Sequence, residues 1–515
     1  MRMRTLLFSV SLYAPMLAAQ DHQHQHAGRL GTVRFEISCG SSAQAPFNRA
    51  VALLHSFWYD EAERAFAEIA KNDPACGMAH WGMAMSNYHP IWAPPTGAEL
   101  KRGSEAAQKA LAAGAKTERE KDYIAAIAKF YEGAGKLDHK TRAAAYQEAM
   151  REVHRKHAAD SEAAVFYALA LLGTASPADK QYRNQKQAAA ILNQVLPQHP
   201  DHPGVAHYVI HSFDYPQLAE LALPAARSYA KIAPDSPHAI HMPSHIFTRL
   251  GLWEESIQSN IASARSAKTH VQRAKPGAGS FDQLHAMDYL VYAYLQQGRE
   301  QKAKQVLEET RAIRALDQEN FAAAYALAAV PARYALERRQ WSEAAALKLE
   351  PSGFAWQAFP FAEAIVVFAR GLGAARNGDT AAARQQTDRL AAIQQQLRGA
   401  PGYDWASQAE VQRRAVAAWL ALAEGKREEV AGLMRSAADL EDATDKHPVT
   451  PGAVAPAREL LGEMLLELKR PAEALIAFEA VLQEAPNRRN GLLGASRAAR
   501  AAGQEEKARL YSSKL

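Results

Sequence analysis

Beyond residue 45, apolar residues recur every three or four positions, with polar residues filling the gaps. That spacing predicts helices with one apolar stripe each, and strand-like alternation is absent. Short turns marked by Asp-Pro or Gly interrupt the pattern. YDEAERAFAEIAKNDPACGMAHWGMAM, from Tyr59, predicts helix, turn, helix. KRPAEALIAFEAVLQEAPNRRNGLLGASRAARAAG, from Lys469, predicts the same arrangement near the end of the chain. Between them, LGLWEESIQSNIASARSA (from Leu250), QQGREQKAKQVLEETRAI (from Gln296), RRQWSEAAALKL (from Arg338) and RNGDTAAARQQTDRLAAI (from Arg376) each carry a turn, a polar first helical turn and a helix. One such pair cannot bury its own apolar face, so the pairs must stack into an array.

These units resemble the tetratricopeptide repeat family. Ala62, Phe66 and Pro74 match the second half of its motif, and Ala474, Phe478 and Pro486 match it again at the same spacing. The resemblance spans most of residues 45–513 and implies an all-α superhelical solenoid of antiparallel helix pairs with a concave groove. FNRAVALLHSFWYDEAERAF, CGMAHWGMAMSNYHP and HAIHMPSHIFTRLG also resemble a narrower group of exported bacterial proteins with such repeats. That match covers about residues 35–300 and implies a shared site without naming a reaction.

Four stretches break the period: YHPIWAPPTGAELKRG from Tyr88, HVQRAKPGAGSFD from His270, KLEPSGFAWQAFPFAE from Lys348 and DKHPVTPGAVAP from Asp445. The expected organisation is a signal peptide over 1–19, an extended or disordered segment over 20–44, a solenoid with a histidine-rich groove over 45–350, and further repeats over 351–515.

The first residues, MRMRTLLFSVSLYAPMLAAQ, set two arginines before an apolar run that ends in small residues. The run is short for a bilayer and is interrupted by Pro15, so a cleaved export signal is expected rather than a transmembrane segment. Export points to a periplasmic or secreted protein. In that compartment Cys39 and Cys76, the only cysteines, are expected to form one disulfide, with two separate buried thiols as the alternative. Cleavage after Ala19 would leave His22 third from a free amine, an arrangement that binds copper or nickel. The plainer reading of DHQHQH is a disordered, weakly metal-binding tail. The 60 basic and 55 acidic residues are well mixed, and no basic stripe with interleaved aromatics occurs, so nucleic acid is not an expected partner.

The candidate chemistry lies in histidines. His207 and His211 stand four apart on one predicted helix, and His241 and His245 stand four apart on another. Each residue of the first pair precedes its counterpart in the second by 34 positions, which is the family's repeat length. The two pairs are therefore expected to stack as a square of four imidazoles. The resemblance places them on the first helices of their repeats, which line the groove. Pro243 sits between His241 and His245 and is expected to kink the helix. His238 and His285 are further candidate ligands. Neutral imidazoles suit copper, zinc, nickel or iron. Ser212, Asp214 and Ser244 are candidates for supporting the ligands, and Asp214 and Asp288 are candidate bases for a metal-bound water. Plain packing, or direct binding of a carboxylate by the histidines, are the alternatives.

A second region is aromatic. His55, Trp58, His80, Trp81, His89 and Trp92 are candidates for a ligand groove that takes an organic molecule or a peptide, and core packing around Trp81 is the alternative. His-Glu-x-x-His, a phosphate-binding glycine loop, Gly-x-Ser-x-Gly and Cys-x-x-Cys-His are all absent. The leading expectation is an exported repeat protein binding a transition metal through clustered histidines. A metal-dependent enzyme acting on a small organic substrate and a peptide- or protein-binding scaffold are its rivals.

Overall fold

The computed structural model describes residues 28–91, 94–400 and 402–515. The expected signal segment, His22 and Trp92 lie outside these described residues. Among the described residues the chain forms twenty-five α-helices, joined in antiparallel pairs that stack into a TPR-like superhelical solenoid. No helix there is long and apolar enough to cross a membrane.

The repeat logic is visible in the packing. Side-chain caps start many helices: Thr96 makes a reciprocal capping box with Glu99, and Asp160, Ser236 and Ser280 cap the helices Ser161–Gly173, Pro237–His241 and Phe281–Gln296. The motif phenylalanines fill helix crossings held open by small residues. A Cβ on Gly82 would come within 2.3 Å of the Phe66 ring, and one on Gly494 within 2.2 Å of Phe478. Ala62 and Ala474 are buried beside them.

The segment 28–40 is extended and built into the core. Thr32 donates its amide to Asp201 O at 2.9 Å, and the Arg29 amide reaches Asp235 Oδ2 at 2.6 Å. Phe35 is fully buried among Phe47, Trp81, Tyr123 and Phe166, with ring centroids 4.8–6.4 Å apart. These four rings come from Gln44–His55, Gly77–Ser86, Glu118–Tyr131 and Ser161–Gly173, the first helices of four successive pairs. Trp81 is thus a core residue at the centre of an aromatic nest. Cys39 and Cys76 form a disulfide that fastens this segment to the second helix pair. Replacing both cysteines with serine is expected to lower stability by about 3–4 kcal/mol, from the freed loop entropy of the unfolded chain. Urea unfolding of the oxidised protein and the double variant measures it, and equal midpoints would contradict it.

The last repeats return onto the middle of the chain. Trp253 Nε1 donates to Asn487 O at 3.0 Å, and Arg488 donates to the Tyr292 hydroxyl at 3.2 Å. Gly251 has a φ of +65°, and a Cβ there would lie 2.2 Å from Pro486 O, so this approach requires glycine. The irregular stretch after Asp445 is pinned in the same way. Arg333 donates to Gly452 O and Ala453 O, and Lys446 reaches Asp214.

Candidate metal centre

Three stretches of helix bring six histidines together. His202 caps the helix Pro203–Phe213 and Pro203 opens it, which sets His207 and His211 one turn apart on one face. Pro243 opens a new helix, Pro243–Arg249, directly after Pro237–His241. His238 and His241 therefore precede the break and His245 follows it. Phe281–Gln296 supplies His285 and, one turn later, Tyr289.

The six are grouped three and three. His207, His211 and His238 form one set, and His241, His245 and His285 form the other, with the ligand atoms of each set within 4.8 Å of one another. Spacing alone had placed His207, His211, His241 and His245 in one square. His238, not His241, is the residue of the helix Pro237–His241 that reaches His207, and His241 groups with His245 and His285. All six are at least 90% buried, from 0% exposed at His207 to 8% at His211.

Their outer nitrogens are held in place. His207 Nδ1 donates to His55 O at 2.7 Å. His241 Nδ1 faces Asn260 Oδ1 at 2.6 Å, and the Asn260 amide nitrogen donates to Ser256 O, which fixes the orientation of that amide. His245 Nδ1 donates to Asp214 Oδ2 at 3.0 Å. Each partner is an acceptor, so Nδ1 carries the proton and Nε2 presents a bare lone pair. His241 Nε2 and His245 Nε2 stand 3.0 Å apart with lone pairs facing each other. His207 Nε2 stands 3.1 Å from both His211 Nε2 and His238 Nε2, and its single lone pair cannot accept from two donors. A cation in each set would resolve both conflicts. Two nitrogens bound to one ion at ~2.0–2.1 Å lie roughly 3–3.5 Å apart, as these do.

Electrostatics keep the rings neutral. Burial pushes His207, His238, His241 and His285 well below the usual imidazole range, and neighbouring histidines add to it. Burial lowers His211 to about 3, and it lowers His245 against the opposing pull of Asp214. Asp214 remains charged. Burial pushes its carboxyl up, but Lys446 and Arg249 outweigh that and hold it well below the usual carboxylate range. Its partners are Arg249 Nε at 2.9 Å and Lys446 Nζ at 3.0 Å, besides His245. Asp214 thus orients the His245 ring. Asp288 is buried in an ion pair with Arg333 at 2.9 Å. Ser244 lies 3.4 Å from His241 Nδ1, and Ser212 bonds back to Tyr208 O in its own helix.

Two aromatic rings wall the cluster. Phe57 stacks on His211 and His238 with centroids 5.5 and 5.8 Å away, from a turn position with a φ of +53°. Tyr289 packs on His241, His245 and His285 at 4.7–5.4 Å.

A further histidine group, which sequence reasoning missed, needs no ion. His202 Nδ1 accepts from the Val205 amide, so its Nε2 donates to Glu162 Oε1 at 2.9 Å. His55 Nε2 donates to Glu162 Oε2 at 2.9 Å, and its Nδ1 accepts from the Tyr208 hydroxyl at 2.9 Å. Protons satisfy every contact in this group. Its effect on the site passes through the His55 carbonyl that orients His207. Of the remaining aromatic candidates, Trp58 packs on His270, His89 packs on Tyr59, and His80 is only partly buried. With Trp81 and His55 in the core, the described members of this set do not share one open wall. The sulfurs of Cys39 and Cys76, near Asp73, are bonded to each other.

For an ion held by the His241 set, Asp214→Asn is expected to weaken binding about 10–100-fold, because the amide no longer balances Lys446, Arg249 and the ion. The His207 set should be unaffected. Competition with a chelator of known affinity reads both sites, and equal weakening at both would contradict the assignment.

No family model matches the chain, and no curated protein matches it. Among solved structures it is similar to yeast Tom70, at 13% identity and a TM-score of 0.34, over 90% of this chain and 96% of that one. The Cut9–Hcn1 hetero-tetramer of the APC/C matches at 12% identity and a TM-score of 0.37, over 91% and 78%. The human IFIT1 dimer with m7Gppp-AAAA matches at 13% identity and 0.37, over 85% and 89%.

Proposed function

We propose that this is an exported metalloprotein, periplasmic in a bacterial cell, that holds two transition-metal ions inside its solenoid. His207, His211 and His238 bind one ion, and His241, His245 and His285 bind the other. The observation that carries this reading is the pair of bare lone pairs on His241 and His245, 3.0 Å apart in a buried site. Copper, zinc, nickel and iron all suit imidazole donors. Export is supported by the residue pattern of the first nineteen residues and by the Cys39–Cys76 disulfide, which belongs to an oxidising compartment.

A peptide-binding scaffold is the less favoured reading. Phe35 and its segment already occupy the first helices of the N-terminal pairs, the surface on which a peptide would lie. Elemental analysis of untagged protein, as purified and after reconstitution, tests the proposal. Two equivalents of metal per chain are expected. No bound metal under either condition would overturn it.

A further inference from the structure

The two sites are neighbours on a small scale. His238 and His241 belong to different sets yet stand three residues apart on one short helix, a rise of roughly 4.5 Å. The facing rings confirm the proximity: His238 and His241 have centroids 6.3 Å apart, and His211 and His245 6.4 Å. Each site offers three nitrogen donors and no carboxylate. Glu162, Asp214 and Asp288 are tied up as described, the first by two histidines and the others by cations.

Charge then discriminates among the ions. The charged side chains that act on the six histidines are Asp214 against Lys446 and Arg249, while Asp288 is balanced by Arg333 and Glu162 is shared by His55 and His202, so no excess negative charge faces the ions. The cost of burying an ion rises with the square of its charge, and no excess negative charge compensates it. Two divalent ions would bring four positive charges and would need added anions. Two copper(I) ions bring two, and imidazole is a good donor for copper.

Resting on the two-site reading, we propose that the six histidines form a paired copper centre that binds dioxygen between its two ions. Each copper(I) gives one electron. Dioxygen takes both, its O–O bond falls from double to single, and it is held as peroxide between two copper(II) ions. No proton moves and no outside reductant is consumed. The centre carries two positive charges before the step and two after it, because the peroxide brings two negative charges. A buried surrounding walled by Phe57 and Tyr289 favours a step that leaves the total charge unchanged.

The test uses the full chain, stripped of metal and loaded anaerobically with copper(I), then exposed to oxygen. Two coppers per chain are expected, with one dioxygen taken up per pair. The oxidised protein should be silent in electron paramagnetic resonance, because the two copper(II) spins couple through the bridge. It should also show a peroxide-to-copper absorption band. His285→Gln leaves one complete set, so it should keep about one copper and lose the absorption band entirely rather than by half. His211→Gln does the same from the other side, and circular dichroism confirms that each variant is folded. Two independent copper(II) signals in the oxidised wild type would overturn the proposal. So would two equivalents of zinc bound with copper(I) refused, a result that leaves the two-site reading standing. A half-strength band in either variant would also overturn it.

Discussion

Metal-free protein should lose its fold steeply as the pH drops below about 6.5, the ordinary value for an unfolded histidine. The six clustered histidines are neutral and buried in the folded state, and burial holds all of them below their unfolded value. Between the two values the unfolded chain binds protons that the folded chain refuses. The stability these histidines contribute is therefore present above the unfolded value and is lost as the pH falls. Each one costs about 1.4 kcal/mol per pH unit in that window. The five other than His245 are held furthest down and together approach ~7 kcal/mol per unit, against a total stability typically of 5–15 kcal/mol. Unfolding is thus expected within about one to two units below 6.5. Metal-loaded protein should survive to lower pH, because the ions occupy the nitrogens that would take the protons. Circular dichroism against pH, with and without metal, measures this. Metal-free protein equally stable at pH 5 and pH 7 would contradict the burial of neutral rings.

Arg488→Ala should be the most damaging single change outside the metal centre. Arg488 is fully buried and donates to Glu459 at 2.7 and 3.1 Å, pairs with Glu337 at 2.6 Å, and reaches the Tyr292 hydroxyl at 3.2 Å. Removing the guanidinium takes a cation from two buried carboxylates. Arg339 still holds Glu459 at 2.7 Å, but Glu337 loses its cation. The expected loss is about 3–5 kcal/mol. Tyr292 lies on the helix that carries His285, so the loosened C-terminal repeats should also weaken metal binding at the His241 set. Pairing the change with Glu337→Gln should recover part of the stability. Denaturant unfolding of the single and double variants reads this, and a loss below about 1 kcal/mol for Arg488→Ala would show that the network does not hold the repeats.

The fold was legible because its rule is local and repeated. Ala62, Phe66 and Pro74 recur as Ala474, Phe478 and Pro486, and the structure uses the alanines and phenylalanines of both sets at helix crossings. His207, His211, His241 and His245 were also legible as candidates, from their fourfold spacing and the 34-residue offset, and His238 and His285 only from their place beside them. Their grouping was not. A repeat offset assumes that equivalent helices are equally long, and Pro243 divides one of them. The supporting residues were hidden for a different reason. Glu162, Asn260 and the carbonyl of His55 act through tertiary contacts, and a single polar residue in a helix looks like any surface position. Glu162 in particular lies in the first turn of its helix, where an acidic residue is ordinary. His202 carried a weak signal, as a histidine directly before a proline at a helix start. Trp81 read as core more readily than as groove, and the buried Phe35 beside it bears out the core.

Two separate three-histidine sites are the central claim, and metal content of half-site variants tests it most directly. Wild type, a His207→Ala/His211→Ala variant and a His241→Ala/His245→Ala variant would be stripped, reconstituted under one condition and analysed for metal per folded chain. Two, one and one equivalents are the result predicted here. Loss of all metal in either variant would mean that the six histidines hold a single ion, and unchanged metal in both would mean that the ions bind elsewhere.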